Sequence, residues 1–512
     1  MIVVYHNNAH ILKVISRQDK LLPFNDKGSI AEGLFQLAIK FPKSKIVWCH
    51  IFYQDFIDLI EVDLLFHHNK MMLSYRPNQV NYFGSSIGYI EDSPFIKVNK
   101  NKTYPTWQMS SAVGVIHASL LLSVTDKIKL DTDFDYFLNS LAKLCMPLGL
   151  LCYSEPKLLK KNDTNIPAKT SLFTLFRFVK QHYKTRWIFL LLLNLIIYKR
   201  RFPFSPFLCS LFYKKRSKSK IDLNNIEVQS SRKVVNLATI DVIIPTIGRK
   251  SYLYDVLCDL KSQSHVPVRV IIVEQNPDKE SISELDYIDN EVWPFFIKHI
   301  FTHQAGACNA RNIALSQTES EWVFLADDDI RISTEFLRNG LEKLNKYGAS
   351  AISLSCLQQL EKQTFTNVFQ WGSFGSGCSI VLADSFESCE FNMGYEFGFG
   401  EDGDFGMQLR NKGIDVLYLP EPQILHLKAP MGGFRTKPIL EWQKDVIQPK
   451  PSPTIMLFQI LHHSKEQLLG YKTILFFKYY KYQKIRNPLS YFKNYRKQWK
   501  KSVFWANELN KK

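Results

Sequence analysis

Three short apolar runs, each ending at a polar cluster, constrain this chain more than any other feature. Ile240–Pro245 (IDVIIP), Val268–Val273 (VRVIIV) and Trp322–Ala326 (WVFLA) are near-continuous apolar segments, as strands buried on both faces of a parallel sheet require. A helical pattern follows the first, with Leu253, Val256, Leu257 and Leu260 on one face, and Ala310–Ser316 predicts a short second helix. Strand, helix, strand in this order predicts a doubly wound α/β unit that binds ligands beyond the carboxyl ends of its strands.

Asp327-Asp328-Asp329 stands at one such end. If the backbone stays extended, Asp327 and Asp329 share a face and Asp328 takes the other. Two hard carboxylate oxygens on one side suit Mg²⁺ or Mn²⁺. The competing reading is a solvated acidic turn, which the apolar strand ahead of it disfavours.

A second cluster, Gly400-Glu401-Asp402-Gly403-Asp404-Phe405, opens a predicted helix that Gly413 closes. Glu401 and Asp402 then sit at a helix N-terminus, where a carboxylate can serve as general base but where acids also occur for structural reasons alone. His426 follows the strand pattern Val416–Leu419 and Pro420-Glu421-Pro422. It reads as a core histidine unless it returns to the aspartates as a third metal ligand.

The charge is concentrated. The 512 residues carry a net +17, yet Pro156–Lys233 alone holds +15 and Lys465–Lys512 holds +11, leaving −9 for the rest. Both basic segments interleave aromatics with the cations. The apolar run Trp187–Tyr198 falls short of the roughly 20 residues a spanning helix needs. It reads as an interfacial helix with flanking Lys and Arg on anionic lipid, against a buried core helix with a basic outer face. No nucleic-acid-binding motif accompanies the charge, so nucleic acid is not an expected partner. Nine scattered cysteines without a CxxC pair argue against a disulfide framework and for a reducing compartment. The start, MIVVYHNNAHILKVI, lacks the features of a signal peptide. The expected location is cytoplasmic, peripheral on the inner face of the plasma membrane. The chain divides into an N-terminal α/β domain (1–160), a basic apolar helical segment and linker (161–235), a main α/β domain (236–435) and a basic aromatic helical tail (436–512).

The stretch Ile240–Arg435 resembles the family 2 inverting glycosyltransferases of the GT-A fold. The residues that carry the likeness are DVIIPTIGR (Asp241–Arg249), VIIVEQN (Val270–Asn276), GACNARN (Gly306–Asn312), FLADDD (Phe324–Asp329), GFGEDGDFGMQLRNKG (Gly398–Gly413) and LPEPQILH (Leu419–His426). The resemblance implies a Rossmann-like, mostly parallel sheet flanked by helices. It implies that Pro245, Thr246, Arg249 and Glu274 hold the nucleotide and that Arg311 supports the diphosphate. Asp327 and Asp329 would hold a divalent Mn²⁺ or Mg²⁺, with His426 as a further ligand and Asp328 toward the nucleotide-sugar. Asp402 would be the catalytic base, with Glu401 beside it. Many members have Asp where Glu274 stands, which leaves the base and ribose contacts open.

By the same resemblance, the function expected is transfer of a sugar, from UDP-sugar in the first instance, to a glycan or lipid-linked acceptor in cell-surface polysaccharide synthesis. The segment Trp371–Ser379 would shape the acceptor side. A catalytically silent nucleotide- or carbohydrate-binding scaffold is the alternative, as is a sugar nucleotidyltransferase, for which PTIGRK is a poor phosphate loop. The N-terminal part carries an echo of the same unit: Asp131–Leu159 echoes Glu401–Leu425, and Thr106–Val115 echoes Gln370–Ser379. No DxD precedes these segments, and Lys160 stands where the histidine would be. This predicts a degenerate GT-A-like domain without a metal site.

Overall fold

A computed structural model describes residues 1–18, 20–24, 28–160, 171–430 and 438–511. They form two α/β units, one of Met1–Ser231 and Ser464–Leu475, the other of Arg232–His463 and Phe476–Lys512. The basic apolar stretch thus falls in the first unit, and the tail is shared between both. The start of that stretch (161–170) and the boundary near 435 lie outside the described residues.

The first unit is built on seven strands: β1 (Ile2–His6), β2 (Ile11–Ser16), β3 (Lys45–His50), β4 (Met71–Tyr75), β5 (Tyr104–Pro105), β6 (Val113–His117) and β7 (Leu151–Ser154). Their order across the sheet is β2-β1-β3-β6-β4-β7-β5. Val3, Val4, Ile46, Val47 and Val115 are fully buried, which is why these runs lack polar alternation. Helix Ile30–Lys40 starts at a capping box of Ser29 and Glu32, which satisfies donors the first turn would otherwise leave open. Helix Phe134–Cys145 starts at Asp133, whose side chain accepts the Tyr136 N–H.

The basic stretch forms helices Leu172–His182, Arg186–Lys199 and Phe204–Leu211. One face of each is core: Phe176, Phe178, Ile188, Leu191, Leu195 and Phe207 join the first unit's apolar cluster. Arg177 and Arg216 close on buried Asp131 at 2.6 and 2.7 Å. The opposite side leaves Phe189, Ile197, Phe202, Phe204, Leu208 and Phe212 exposed. The buried face is that of the core-helix reading, and the run also leaves Phe189 and Ile197 exposed. Among the described residues, no helix is long and apolar enough to cross a membrane.

The second unit carries nine strands: β8 (Ile240–Thr246), β9 (Arg269–Gln275), β10 (Phe296–Thr302), β11 (Trp322–Ala326), β12 (Ile330–Arg331), β13 (Ala351–Gln358), β14 (Phe369–Gln370), β15 (Cys378–Leu382) and β16 (Leu417–His426). The order is β10-β9-β8-β11-β15-β13-β16-β12, with β14 on β16. The first four run parallel, β15 runs against both neighbours, and β13 and β16 are parallel. Helix Lys250–Lys261 buries Leu253, Val256, Leu257 and Leu260, the face its periodicity marks. The second short helix begins earlier than its apolar residues suggest, at Ala307. The last strand differs most: it passes through Pro420 and Pro422 and ends at His426. Its partner β12 pairs Ile330 with His426, which draws the histidine to the residues following Asp329. Helices Pro453–His462 and Pro488–Leu509 complete this unit, burying Met456, Leu457, Tyr491 and Tyr495.

Candidate active site

At the carboxyl edge of the second sheet the three aspartates diverge. Asp328 is buried; Thr246 Oγ1 donates to it at 2.7 Å and Arg249 at 2.5 Å. Burial pushes its carboxyl up to about 6, against the pull of Arg249 and Thr246. Asp329 meets Arg249 at 3.1 Å and His426 Nε2 at 3.3 Å, and accepts the Ala429 N–H at 2.9 Å. Although burial opposes it, these partners hold the Asp329 carboxyl below its usual range. In turn the hydrogen bond to Asp329 raises His426 to about 9.

Asp327 faces the other way, toward Arg311 at 3.1 Å. A side chain at Gly377 could not coexist with it, because a Cβ there would lie 2.1 Å from Asp327 Oδ2. Asp327, Asp329 and His426 each still offer one ligand atom within 4.8 Å of the other two. Two carboxylates and an imidazole form an O,O,N set that fits Mn²⁺ or Mg²⁺. A cation there would also offset the carboxylates that now hold a proton on His426.

Asp402 lies in the first turn of helix Glu401–Asn411, which starts at Gly400 with φ 119°. The Ser376 N–H donates to its Oδ1 at 3.2 Å. Burial raises the Asp402 carboxyl, opposed by Arg311. Burial and the neighbouring Asp402 lift Glu401 to about 7. Arg311 is the hinge of this arrangement: it is buried, yet Asp327 and Asp402 keep it charged against the cost of desolvation.

The remaining predicted residues sit apart from that centre. Pro245 is part of β8, beside Thr246. Glu274 ends β9, but its carboxylate is already engaged by His299 at 2.8 Å, Ser283 at 2.6 Å and the Glu284 N–H at 3.2 Å. Next to Arg249 an open cleft of about 550 Å³ is walled by Gly248, Tyr254, Glu284 and Tyr287.

Sequence reasoning missed the supporting parts of four residues, Glu396, Asp404, His462 and Ser376. Glu396 accepts the N–H groups of Cys308 and Asn309 at 3.3 and 2.9 Å, capping the helix that carries Arg311. Asp404, two residues from Asp402, is buried against His462 Nε2 at 2.6 Å and Gln408 at 2.8 Å. Ser376 lies in the glycine-rich segment already singled out, whereas nothing local marks Glu396 or His462.

Residues 241–377 match the profile of the family described as Glycosyl transferase family 2. The stretch 241–377 of the second unit is similar to a family 2 glycosyltransferase domain. The sheet of that unit joins a parallel half to one reversed strand, with the aspartates at its carboxyl edge. No curated protein matches the chain in sequence. Among solved structures, residues 1–349 of S. aureus TarS are 18% identical over 37% of this chain and 60% of that one, with TM-score 0.32. The same TarS fragment in complex with UDP-GlcNAc is 16% identical over 46% and 70%, with TM-score 0.34. GalNAc-T7 with UDP, GalNAc and Mn²⁺ is 13% identical over 38% and 44%, with TM-score 0.31. At TM-scores of this size the likeness assigns nothing further to the second unit.

Proposed function

We propose that the second unit transfers a sugar from a nucleoside diphosphate sugar to a hydroxyl of a glycan or lipid-linked acceptor, with inversion at the anomeric carbon. The observation that carries this reading is the convergence of Asp327, Asp329 and His426, with Arg311 paired to Asp327 and held charged by both Asp327 and Asp402. A divalent Mn²⁺ or Mg²⁺ held by those three residues would supply charge neutralisation on the leaving diphosphate. Thr246 and Arg249 position Asp328 toward the nucleotide-sugar, and Glu274, with Pro245, lies on the nucleotide side. Asp402 takes the proton of the attacking hydroxyl, whose oxygen forms the new glycosidic bond as the bond to the diphosphate breaks. One displacement needs no covalent enzyme intermediate. Ser376 holds the carboxylate in place for that transfer, and Glu401 sets its electrostatic surroundings.

The exposed Phe189, Phe202, Phe204, Leu208 and Phe212, flanked by Lys199, Arg200 and Arg201, support a site of work on an anionic membrane surface. That surface accords with a lipid-linked acceptor and a role at the inner face in surface polysaccharide synthesis.

The test is release of nucleoside diphosphate from UDP-, GDP- and dTDP-sugars in Mn²⁺, Mg²⁺ or EDTA, with and without a membrane lipid extract. Metal-dependent turnover of one donor, lost in Asp402→Asn, is expected. Silence on every donor, without metal-dependent nucleotide binding, would establish the scaffold reading instead.

A further inference from the structure

A cleft with a volume of about 860 Å³ lies in the first unit, away from the three aspartates. That is the size of a small-molecule site. Its location is informative because the first sheet repeats the second. Strands β1, β3, β4, β5, β6 and β7 correspond to β8, β11, β13, β14, β15 and β16, in the same chain order. The pairings also agree in direction: β1·β3 and β8·β11 are parallel, β3·β6 and β11·β15 antiparallel, β6·β4 and β15·β13 antiparallel, β4·β7 and β13·β16 parallel, β5·β7 and β14·β16 antiparallel. In each unit a helix precedes the last of these strands.

Register makes the match residue by residue. Cys49 pairs with Val113 as Ala326 pairs with Cys378. This sets His50 at the position of Asp327, and Ser111 at that of Ser376. The correspondence extends to side chains: the Ser111 N–H donates to Asp135 Oδ1 at 2.8 Å, as the Ser376 N–H donates to Asp402. Asp135 therefore occupies in the first unit the place the base holds in the second, and the cleft lies over it.

The chemistry there has changed. Arg76 grips both oxygens of Asp135 at 2.9 Å, and the Ser111 hydroxyl adds a donor at 2.9 Å. An acid so engaged is no free base. Among the described residues, no group of three metal-ligating side chains forms in this cleft; the one found is Asp327, Asp329 and His426. The charged groups facing the space are Glu32, Asp133 and Asp135 against Arg76, with His10 and His50. Burial holds His50 below its usual range, opposed by Asp135 and aided by Arg76. The wall is net negative, which disfavours a diphosphate without a metal. It retains planar hydrogen-bonding groups in Arg76 and Asp135, an imidazole, and the ring of Tyr53. These suit a ligand with many hydroxyls and apolar C–H faces, and no charge.

We propose that the cleft over Asp135 is a second, non-catalytic site that binds a neutral saccharide. It does not depend on the transferase reading, since none of its residues belongs to the second unit. The experiment is saturation-transfer NMR on the full chain, with maltose, lactose and diacetylchitobiose as neutral probes and UDP as the anionic one, each at millimolar concentration. At least one saccharide is expected to receive magnetisation in wild type and equally in Asp402→Asn. Thr132→Trp and Ala9→Trp, which fill the cleft from its exposed rim, should weaken that saccharide by roughly tenfold or more. Hydrogen exchange should slow in peptides covering 131–135 and 108–114 when it binds. The proposal is overturned if no saccharide binds, if binding survives both rim variants with exchange unchanged in those peptides, or if UDP without metal protects the same peptides.

Discussion

The two sheets share six strands in order and direction and differ in what stands at their carboxyl edges. In the second, β9 and β10 extend the parallel half and β12 returns His426 to the aspartates. In the first, a hairpin strand, β2, ends the sheet beside β1, and Arg76 closes on the acid that matches Asp402. The contrast separates scaffold from chemistry. A fold can keep a cleft while the groups at its strand ends change, as His50 at the position of Asp327 shows, because buried strands depend on apolar packing and not on the residues at their ends.

The largest effect that can break this contrast is at Asp402, the proposed base. Asp402→Asn should lower kcat about 10²–10⁴-fold while donor binding persists; steady-state kinetics with the identified donor checks it. Retained turnover would mean that Asp402 is no more a base than Asp135. Next comes Gly377→Ala, whose methyl must displace Asp327. Misplacing a ligand by an ångström costs on the order of 10²-fold in rate, and the loss should appear in Mn²⁺ affinity as well.

The pH profile gives a smaller and finer test. Glu401 is raised from 4.5 to about 7, so the fold favours its protonated form. Its contribution to stability is complete below its ordinary value and is lost as pH rises through about 7. Turnover should move oppositely, falling as pH drops through about 7, where a proton returns to the Glu401 and Asp402 pair. Glu401→Gln should shift that acid limb to lower pH, read from kcat against pH. An unmoved limb would assign the titration to another group.

The smallest effect on chemistry, with a measurable effect on folding, is expected in the first sheet. A methyl on Gly114 would lie 2.2 Å from Trp48 Cζ2 and 2.5 Å from the Leu73 carbonyl oxygen. Gly114→Ala should cost about 1–3 kcal/mol of stability through overpacking, seen as a lower Tm, while donor hydrolysis per folded molecule stays at the wild-type value.

What the sequence disclosed and what it hid follow from the same physics. Parallel strands buried on both faces announce themselves as IDVIIP and WVFLA, and an acidic run at a strand end is conspicuous because it is costly there. The continuation of β16 through two prolines was hidden, since proline weakens any strand pattern even where an edge or bulge accommodates it. Arg249 bridging Asp328 and Asp329 and Glu396 capping the helix of Arg311 join elements 79 and 87 or 88 residues apart, and no local spacing encodes such pairs. The cleft over Asp135 was the least legible. His50, Arg76, Ser111 and Asp135 come from four separate elements and make no motif, although the echo in Asp131–Leu159 pointed to the right helix.

The contact between Asp404 and His462 has a practical consequence for anyone dividing this protein. Asp404 is a buried carboxylate two residues on from Asp402, and the histidine that answers it comes from a helix some 58 positions downstream. On the same helix Phe458 lies against Gly403. A fragment ended at residue 440 would leave buried Asp404 with Tyr395 and Gln408 but without the cation-capable His462, and one trimmed to 241–377 would lack the helix of Asp402 altogether. Such a fragment should express poorly and turn over nothing, and that failure would report on where the cut was made rather than on the enzyme.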